Sequence, residues 1–292
     1  MSAVAKGPAP LYAYAMTLSS RNRLLLVGIA ASVPVLAGLA FAMPEAIASA
    51  LSTLSGAERR TEGLATLWAS FFARPSAAAI LASIPLSVVF ASVSVALLYY
   101  SFEKTQAPEI LFFAAFCFSL TVEAFRIAVP LSVARDWPPA IIVGAARSIA
   151  FGRFFGILSL FASGVFANGV EFQKHGRIFI FIAVAALTVA TGIPVDGLAY
   201  DSSFLPLSGY RAMIELVELS LAVITVLSYI VAAYSRSARE FYAAAAGIAM
   251  IAIGRDLLLK GDSWLTLPVG VALLAGGTWL FTVRTHRYYL WL

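Results

Sequence analysis

The chain has 292 residues, of which 61% are hydrophobic and 12% are charged. Soluble domains usually contain about 45–50% apolar and about 25% charged residues, so this composition excludes an ordinary soluble protein. It predicts an all-α, polytopic transmembrane helical bundle. The net charge of +5 comes mainly from basic loop residues, which indicate membrane topology. No nucleic-acid partner is expected.

Apolar windows predict about eight membrane spans, because a spanning helix needs about 20 mostly apolar residues. In chain order the windows are 24–43, 78–100, 110–134, 139–169, 177–195, 212–234, 241–259 and 265–283. The fourth is long enough to be tilted or to begin in the membrane interface. Pro34, Pro85, Pro130 and Pro194 fall in or near these windows and predict local kinks. Residues 1–292 are expected to form one integral membrane domain.

The basic residues of the short loops predict the orientation of the bundle. With eight spans both termini share one side of the membrane, and basic residues exceed acidic residues on that side. Such an excess is typical of the cytoplasmic side. The pattern predicts a multi-pass protein of the bacterial cytoplasmic (inner) membrane, in which residues 1–23 and 284–292 are cytoplasmic. The first window is expected to be a retained span, since no persuasive cleavage signature follows it.

An amphipathic pattern lies in the longest predicted loop, the outer loop at 44–77. The stretch "TEGLATLWASFFARP" (61–75) places apolar residues at helical spacing, with Thr61 as a candidate N-cap and Pro75 as a stop. The apolar residues are Leu64, Leu67, Trp68, Phe71 and Phe72. This predicts a short interfacial helix on the outer membrane surface. It can act as a lid over the helix ends, or contact a ligand or a partner.

Charged residues within the predicted spans are the most informative feature. The stretch "SLTVEAFRI" (119–127) places an acid and a base three residues apart, and further charges lie in the fourth, sixth and seventh spans. The set is Glu123, Arg126, Arg147, Arg153, Glu215, Glu218, Arg255 and Asp256. A charge at a helix centre costs about 2.5–3.5 kcal/mol on insertion scales, so these groups are expected to face one another. They predict an outward-facing charged chamber with four basic and four acidic groups.

Two uses of the chamber stay open. The acids and bases can satisfy one another and fix the helix register. Alternatively, an arginine without a full partner can bind a carboxylate or a lipid phosphate through its guanidinium fork, and a titrating Glu123 or Glu218 would suit proton coupling. The first expectation is a ligand-sensing or partner-scaffolding subunit. Its candidate partners are membrane lipid, a partner membrane protein or signalling chain, and a small anionic ligand.

Two alternatives belong to other functional classes. One is a transporter of a small anionic solute, with Arg126, Arg147 or Arg153 holding the substrate. The other is a membrane-embedded lipid-modifying enzyme with Glu123 or Glu218 as general base. Sensing, transport and lipid chemistry all place the working groups in the same chamber.

Patterns for catalysis and metal binding are not found in the sequence. The two histidines, His175 and His286, are too far apart for a HExxH zinc site and lie at the wrong depth for paired haem ligands. No histidine within a window can activate Ser163 as a nucleophile. We therefore expect no catalytic residue, no metal site, no cofactor and no enzyme activity. The one cysteine, Cys117, excludes an intrachain disulfide.

Small residues recur in two windows. The stretches "SIPLSVVFASVSVA" in the second span and "GVALLAGGTWLF" in the last allow helix backbones to approach closely. Gly276 and Gly277 are therefore expected to serve helix packing rather than a hinge.

Overall fold

A computed structural model describes residues 18–54, 76–103, 107–169, 175–201, 204–260 and 263–290. The predicted interfacial helix at 61–75 lies outside these ranges, as do most of the predicted loop 44–77 and most of the N-terminal segment.

The described residues form nine α-helices, one 3-10 helix and a two-stranded β-hairpin. In chain order they are α1 (Leu18–Leu54), α2 (Ala77–Phe102), α3 (Pro108–Ser119), the 3-10 helix (Leu120–Ile127), α4 (Ala128–Arg135), α5 (Pro139–Ala167), α6 (His175–Gly192), β1 (Val195–Tyr200), β2 (Pro206–Ser208), α7 (Arg211–Ser235), α8 (Glu240–Lys260) and α9 (Thr266–Leu290). Within the described ranges seven helical stretches are long and apolar enough to cross a membrane, with α3, the 3-10 helix and α4 counted as one. This indicates a multi-pass membrane protein built as a helical bundle.

The first helix is much longer than its apolar window. It has 37 residues and contains Pro34 and Pro44, whereas the window covers 24–43. Beyond the window the helix continues through Glu45, whose carboxylate receives two hydrogen bonds from Arg135 at the end of α4. Hydropathy measures the apolar core of a span, so a helix that continues with small and polar residues extends past the predicted boundary.

The third membrane-spanning stretch changes its winding in the middle. Between α3 and α4, eight residues form a 3-10 helix, and both Glu123 and Arg126 lie within it. Pro130 has no backbone N–H, so it cannot complete the α-helical bond to the carbonyl of Arg126. That carbonyl and the carbonyl of Phe125 instead accept from the N–H of Ala128. In a 3-10 helix residues i and i+3 are eclipsed, so the charged pair shares one face more closely than in the predicted α-helix.

A β-hairpin departs from the purely helical prediction. Strands β1 and β2 pair antiparallel, with Val195 opposite Ser208 and an irregularity before Tyr200. The hairpin packs on the N-terminal half of α5, where Gly197 lies against the backbone carbonyl of Pro139. We call the end of the bundle that carries it the hairpin end. The other end, where α3 begins and α9 ends, is the opposite end.

Close packing of α8 and α9 depends on glycines, as the small-residue pattern predicts for the last span. A Cβ atom added to Gly254 would lie 2.6 Å from the backbone nitrogen of Leu274, and one added to Gly277 would lie 2.6 Å from the carbonyl oxygen of Gly247. Real Cβ atoms do not approach other atoms so closely. The prediction that Gly277 serves packing is confirmed by this geometry.

Helix α5 is the centre of the bundle, since α3, the 3-10 helix, α6, α7 and the hairpin all pack on it. Gly152 permits the close approach of the 3-10 helix, because a Cβ there would lie 2.7 Å from the Cβ of Val122. This approach brings the next residue of α5, Arg153, within reach of the charges on the 3-10 helix.

Candidate functional site

A buried carboxylate, that of Glu123, is the centre of the charge cluster. The Nε and Nη2 atoms of Arg153 donate hydrogen bonds of 2.7 and 3.0 Å to its two oxygens. Arg126 lies three residues further along the 3-10 helix, with its Nη1 atom 3.9 Å from the same carboxylate. Glu123 is 2% exposed and Arg126 is 1% exposed. Two arginines therefore share one carboxylate in a site that water barely reaches.

Neighbouring helices hold the second arginine in place. The Nη1 atom of Arg126 donates a 3.3 Å hydrogen bond to the hydroxyl of Ser83 on α2. Asp201, at the end of the hairpin, also acts electrostatically on Arg126 and on Arg153. Arg126 thus interacts with two acids, on the 3-10 helix and the hairpin, and with a hydroxyl on α2.

A second buried ion pair joins α7 and α8 to this centre. The Nη1 atom of Arg255 donates a 3.1 Å hydrogen bond to Glu218, and its Nη2 atom donates a 3.4 Å bond to the backbone carbonyl of Arg153. We call Glu123, Arg126, Arg153, Glu218 and Arg255 the inner network. It connects the 3-10 helix, α5, α7 and α8, with α2 attached through Ser83.

A more exposed ring of charges lies at the hairpin end of the inner network. Arg211 donates hydrogen bonds to Asp201 at 3.1 Å and to Glu215 at 3.2 Å. Lys260 lies 2.8 Å from Asp256 and 3.8 Å from Glu215. We call these five residues the mouth. The loop pattern places Asp201, Arg211 and Lys260 in outer loops. A helical spacing of four residues brings Arg211 to Glu215 and Lys260 to Asp256, and the fold adds Asp201.

Three of the eight predicted residues do not enter the inner network: Glu215 and Asp256 belong to the mouth, and Arg147 belongs to neither group. Arg147 is exposed on α5, and no hydrogen bond or ion pair joins it to a described residue. Asp256 follows Arg255 directly but points outward and pairs with Lys260. Helical spacing accounts for both: at about 100° per residue, Arg147 lies roughly 240° around α5 from Arg153, and Asp256 roughly 100° from Arg255.

A cavity of about 110 Å³ opens between α5, α7, the hairpin and the end of α8. Its charged lining consists of Arg153, Asp201, Arg211, Glu215, Glu218 and Lys260. Ile149, Phe154 and Ile214 supply part of its apolar wall. A larger and more open groove, about 740 Å³, lies between the hairpin and the start of α5, and Asp196 is the charged residue among its described lining. The cavity is the candidate site, because the charges converge on it.

The core closes the bundle between the cavity and the opposite end. Phe113, Phe116, Ile157 and Leu160 are almost completely buried and pack in one apolar cluster. They lie on α3 and α5, below the level of Glu123 and Arg153. An apolar layer therefore separates the charged site from the other side of the bundle.

A second polar cluster lies at the opposite end. Glu109, which the loop pattern assigns to a cytoplasmic loop, sits in the first turn of α3 and is fully buried. Tyr289 of α9 donates a hydrogen bond to its Oε1 atom, while no described residue pairs with its Oε2 atom. Beside it, Ser163 shares a 2.6 Å hydrogen bond with Tyr229. This cluster ties the ends of α3, α5, α7 and α9 together.

Arg236, between α7 and α8, borders the second cluster. Burial acts to lower its pKa, but hydrogen bonds to the hydroxyls of Tyr288 and Tyr289 outweigh burial and raise that pKa above its ordinary value. Its guanidinium also lies over the rings of Phe241 and Tyr288, at 5.3 and 5.6 Å from their centroids. Arg236 therefore makes cation–π contacts with two aromatic side chains at the opposite end of the bundle.

Metal-binding geometry is not seen in the part of the chain that the structure describes, where no three side chains of His, Cys, Asp or Glu are grouped as ligands. The chamber is built from ion pairs and hydrogen bonds.

Comparison with known proteins finds a similarity that extends over most of the chain. A protein of Treponema pallidum (strain Nichols), described as an uncharacterized protein, is 25% identical over 302 residues, which cover 87% of this chain and 83% of that protein. No protein-family model matches the chain. The similarity is therefore not confined to the charged site.

Proposed function

We propose that the protein is a ligand-sensing subunit of the membrane, which binds a small polar solute in the cavity at the hairpin end. The observation that carries this proposal is the double role of the cavity lining. Arg153 and Glu218 line the cavity and also belong to the inner network that connects four helical elements. A ligand that takes over part of their hydrogen bonding changes the balance of the ion pairs, and so biases the arrangement of the helices.

The apolar layer below the site favours sensing over an open channel. A channel needs a continuous polar path to both sides of the membrane, whereas an alternating-access transporter opens to one side at a time and is distinguished from a sensor by the flux measurement below. Here Phe113, Phe116, Ile157 and Leu160 fill the space beyond the inner network. A bound solute is thus held at the hairpin end. Its binding can affect the opposite end only through a change in the arrangement of the helices. A partner membrane protein or signalling chain would receive that change.

We further propose that α6 is an eighth span, which places both termini on the cytoplasmic side of a bacterial inner membrane. Its 18 residues give a length of about 27 Å at 1.5 Å per residue, close to the hydrocarbon thickness of about 30 Å. The hairpin end then faces outward, and membrane lipid surrounds the bundle. The loop before α8 faces the cytoplasm.

Cysteine accessibility tests this orientation. In a Cys117→Ala background, Leu207→Cys at the hairpin and Arg239→Cys at the opposite end are treated with a membrane-impermeant maleimide. We expect Leu207→Cys to react in intact cells and Arg239→Cys to react only after permeabilisation. The reverse pattern would contradict the orientation. Gly176→Cys, at the start of α6, should react like Arg239→Cys, and its labelling in intact cells would contradict α6 as a span.

Binding to the full-length protein in lipid nanodiscs tests the sensing role. Thermal unfolding is followed in the presence of grouped small polar metabolites, and the members of an active group are then titrated singly. We expect one solute class to stabilise the protein, and Arg211→Gln to weaken that effect at least tenfold. Arg211 is suited to this test because its side chain is 54% exposed, so its loss leaves the inner network in place.

Arg147→Gln is the matched control, since it also removes one guanidinium from the same end of the bundle but lies outside the cavity. It should bind like the unchanged protein. Solute flux into proteoliposomes distinguishes sensing from transport. Uptake that Arg211→Gln abolishes would show that the protein is a transporter and would contradict the sensing proposal. A protein that binds none of the grouped solutes would refute the proposed function.

A further inference from the structure

Among the residues that the structure describes, the charged lining of the cavity is balanced. Three basic side chains, Arg153, Arg211 and Lys260, face three acidic ones, Asp201, Glu215 and Glu218. The remaining members of the inner network and the mouth are also balanced, with two arginines against one glutamate and one aspartate. A ligand with a net charge would therefore bring an uncompensated charge into a partly buried site, which is costly. A ligand without net charge avoids this cost.

Two polar atoms at the cavity retain bonding capacity. Arg153 uses its Nε and Nη2 atoms on Glu123, and no described residue accepts a hydrogen bond from its Nη1 atom. Glu218 accepts the bond from Arg255 through Oε2, and no described residue donates to its Oε1 atom. One unused donor and one unused acceptor thus belong to residues that line the same small cavity.

These two groups are neighbours without being direct partners. Glu218 acts electrostatically on Arg153, yet the ion pairs of the described residues join each of them to a different partner. A bound molecule can bridge this gap if it offers an acceptor to Arg153 and a donor to Glu218. An acidic group would accept from the guanidinium, and an ammonium group would donate to the carboxylate.

The size of the cavity limits the molecule that fits. A volume of about 110 Å³ is somewhat smaller than an engineered protein cavity of about 150 Å³ that holds benzene, which leaves room for a small solute. The apolar wall formed by Ile149, Phe154 and Ile214 suits a short aliphatic body. The polar groups of such a ligand must lie at its two ends.

We infer that the cavity binds a small zwitterion, whose carboxylate or sulfonate contacts Arg153 and whose ammonium contacts Glu218. This inference rests on the proposed function and names its ligand class. Charge balance, the paired unused atoms and the volume all point to the same chemistry. An anion alone would satisfy Arg153 but leave Glu218 facing an acidic group or an empty space.

The test compares zwitterions with their singly charged halves. Full-length protein in nanodiscs is titrated calorimetrically with glycine, alanine, β-alanine, γ-aminobutyrate and taurine, and in parallel with acetate and methylammonium. We expect at least one zwitterion to bind at least tenfold more tightly than either acetate or methylammonium. Glu218→Gln should reduce that preference at least tenfold, and Arg147→Gln should leave it unchanged.

Arg211→Gln provides a second variant that does not depend on the inner network, in case Glu218→Gln does not fold. Because Arg211 lines the cavity but lies outside the inner network, this variant should bind zwitterions more weakly and still fold. Binding of acetate or methylammonium as tightly as any zwitterion would overturn this inference and leave the sensing role intact. If neither these probes nor the grouped metabolites bind, both the inference and the proposed function fail.

Discussion

Replacing Glu123 with glutamine should destabilise the protein by about 3 kcal/mol. The carboxylate accepts bonds of 2.7 and 3.0 Å from Arg153 and faces Arg126 at 3.9 Å. Breaking a buried ion pair by removing one partner costs about 3–5 kcal/mol, because the other charge stays buried. The glutamine oxygen can still accept one bond, and Asp201 still acts on both arginines, which places the loss at the lower end of that range.

The loss can be measured by unfolding in mixed micelles with increasing sodium dodecyl sulfate, followed by tryptophan fluorescence. About 3 kcal/mol corresponds to roughly a hundredfold change in the unfolding equilibrium constant. Glu45→Gln is the matched control, since Arg135 binds Glu45 through the same two nitrogens, Nε and Nη2. These side chains are 38% and 47% exposed, so we expect little change there. Equal losses in the two variants would refute the argument that burial makes the Glu123 pairs important.

Three further predictions concern packing and the opposite end of the bundle. Gly254→Ala should lower the free energy of unfolding by about 1–3 kcal/mol in the same micelle titration because its methyl group meets α9, whereas Gly38→Ala, which meets nothing within 4 Å, should not destabilise. Tyr289→Phe should cost about 1–3 kcal/mol because it leaves a buried glutamate oxygen without its donor, and Tyr234→Phe, at an 82% exposed side chain, should cost nothing measurable. Cys117 is fully buried and should react with maleimide only as the protein unfolds, so fast labelling of the native protein would contradict its placement.

Much of the helical architecture could be predicted because hydropathy reports the lipid-facing and core residues directly. Each apolar window lies within or largely overlaps a helical stretch of the structure. The 3-10 winding at Leu120–Ile127 could not be predicted in this way, because an apolar window has the same hydropathy in either helix. The short hairpin escapes prediction for a similar reason: its two strands, Val195–Tyr200 and Pro206–Ser208, are stabilised by packing on α5 rather than by a strong local pattern.

The charged pairs could be predicted only in part. The spacing of Glu123 and Arg126, together with the cost of isolated charges in lipid, indicates that acids and bases of four helices meet, and the inner network has this arrangement. Helical geometry applied to Arg147 and Arg153 is enough to place those two arginines on different faces of α5. The i,i+4 spacing of Arg211 and Glu215 on α7 could have predicted that pair, whereas the pair of Arg211 with Asp201 required the fold, because Asp201 lies at a strand end.

The winding of the third membrane-spanning stretch has a mechanical consequence. A 3-10 helix rises about 2.0 Å per residue, and an α-helix rises about 1.5 Å, so the eight residues between α3 and α4 are about 4 Å longer than the same residues in an α-helix. They also rotate the chain by about 20° more per residue, or roughly 160° in total. If this segment rewound into an α-helix, α3 and α4 would move about 4 Å closer together along the helix axis and rotate relative to each other. Glu123 and Arg126 lie within the segment. The ion pair between Glu123 and Arg153 holds this segment against α5 in its 3-10 form.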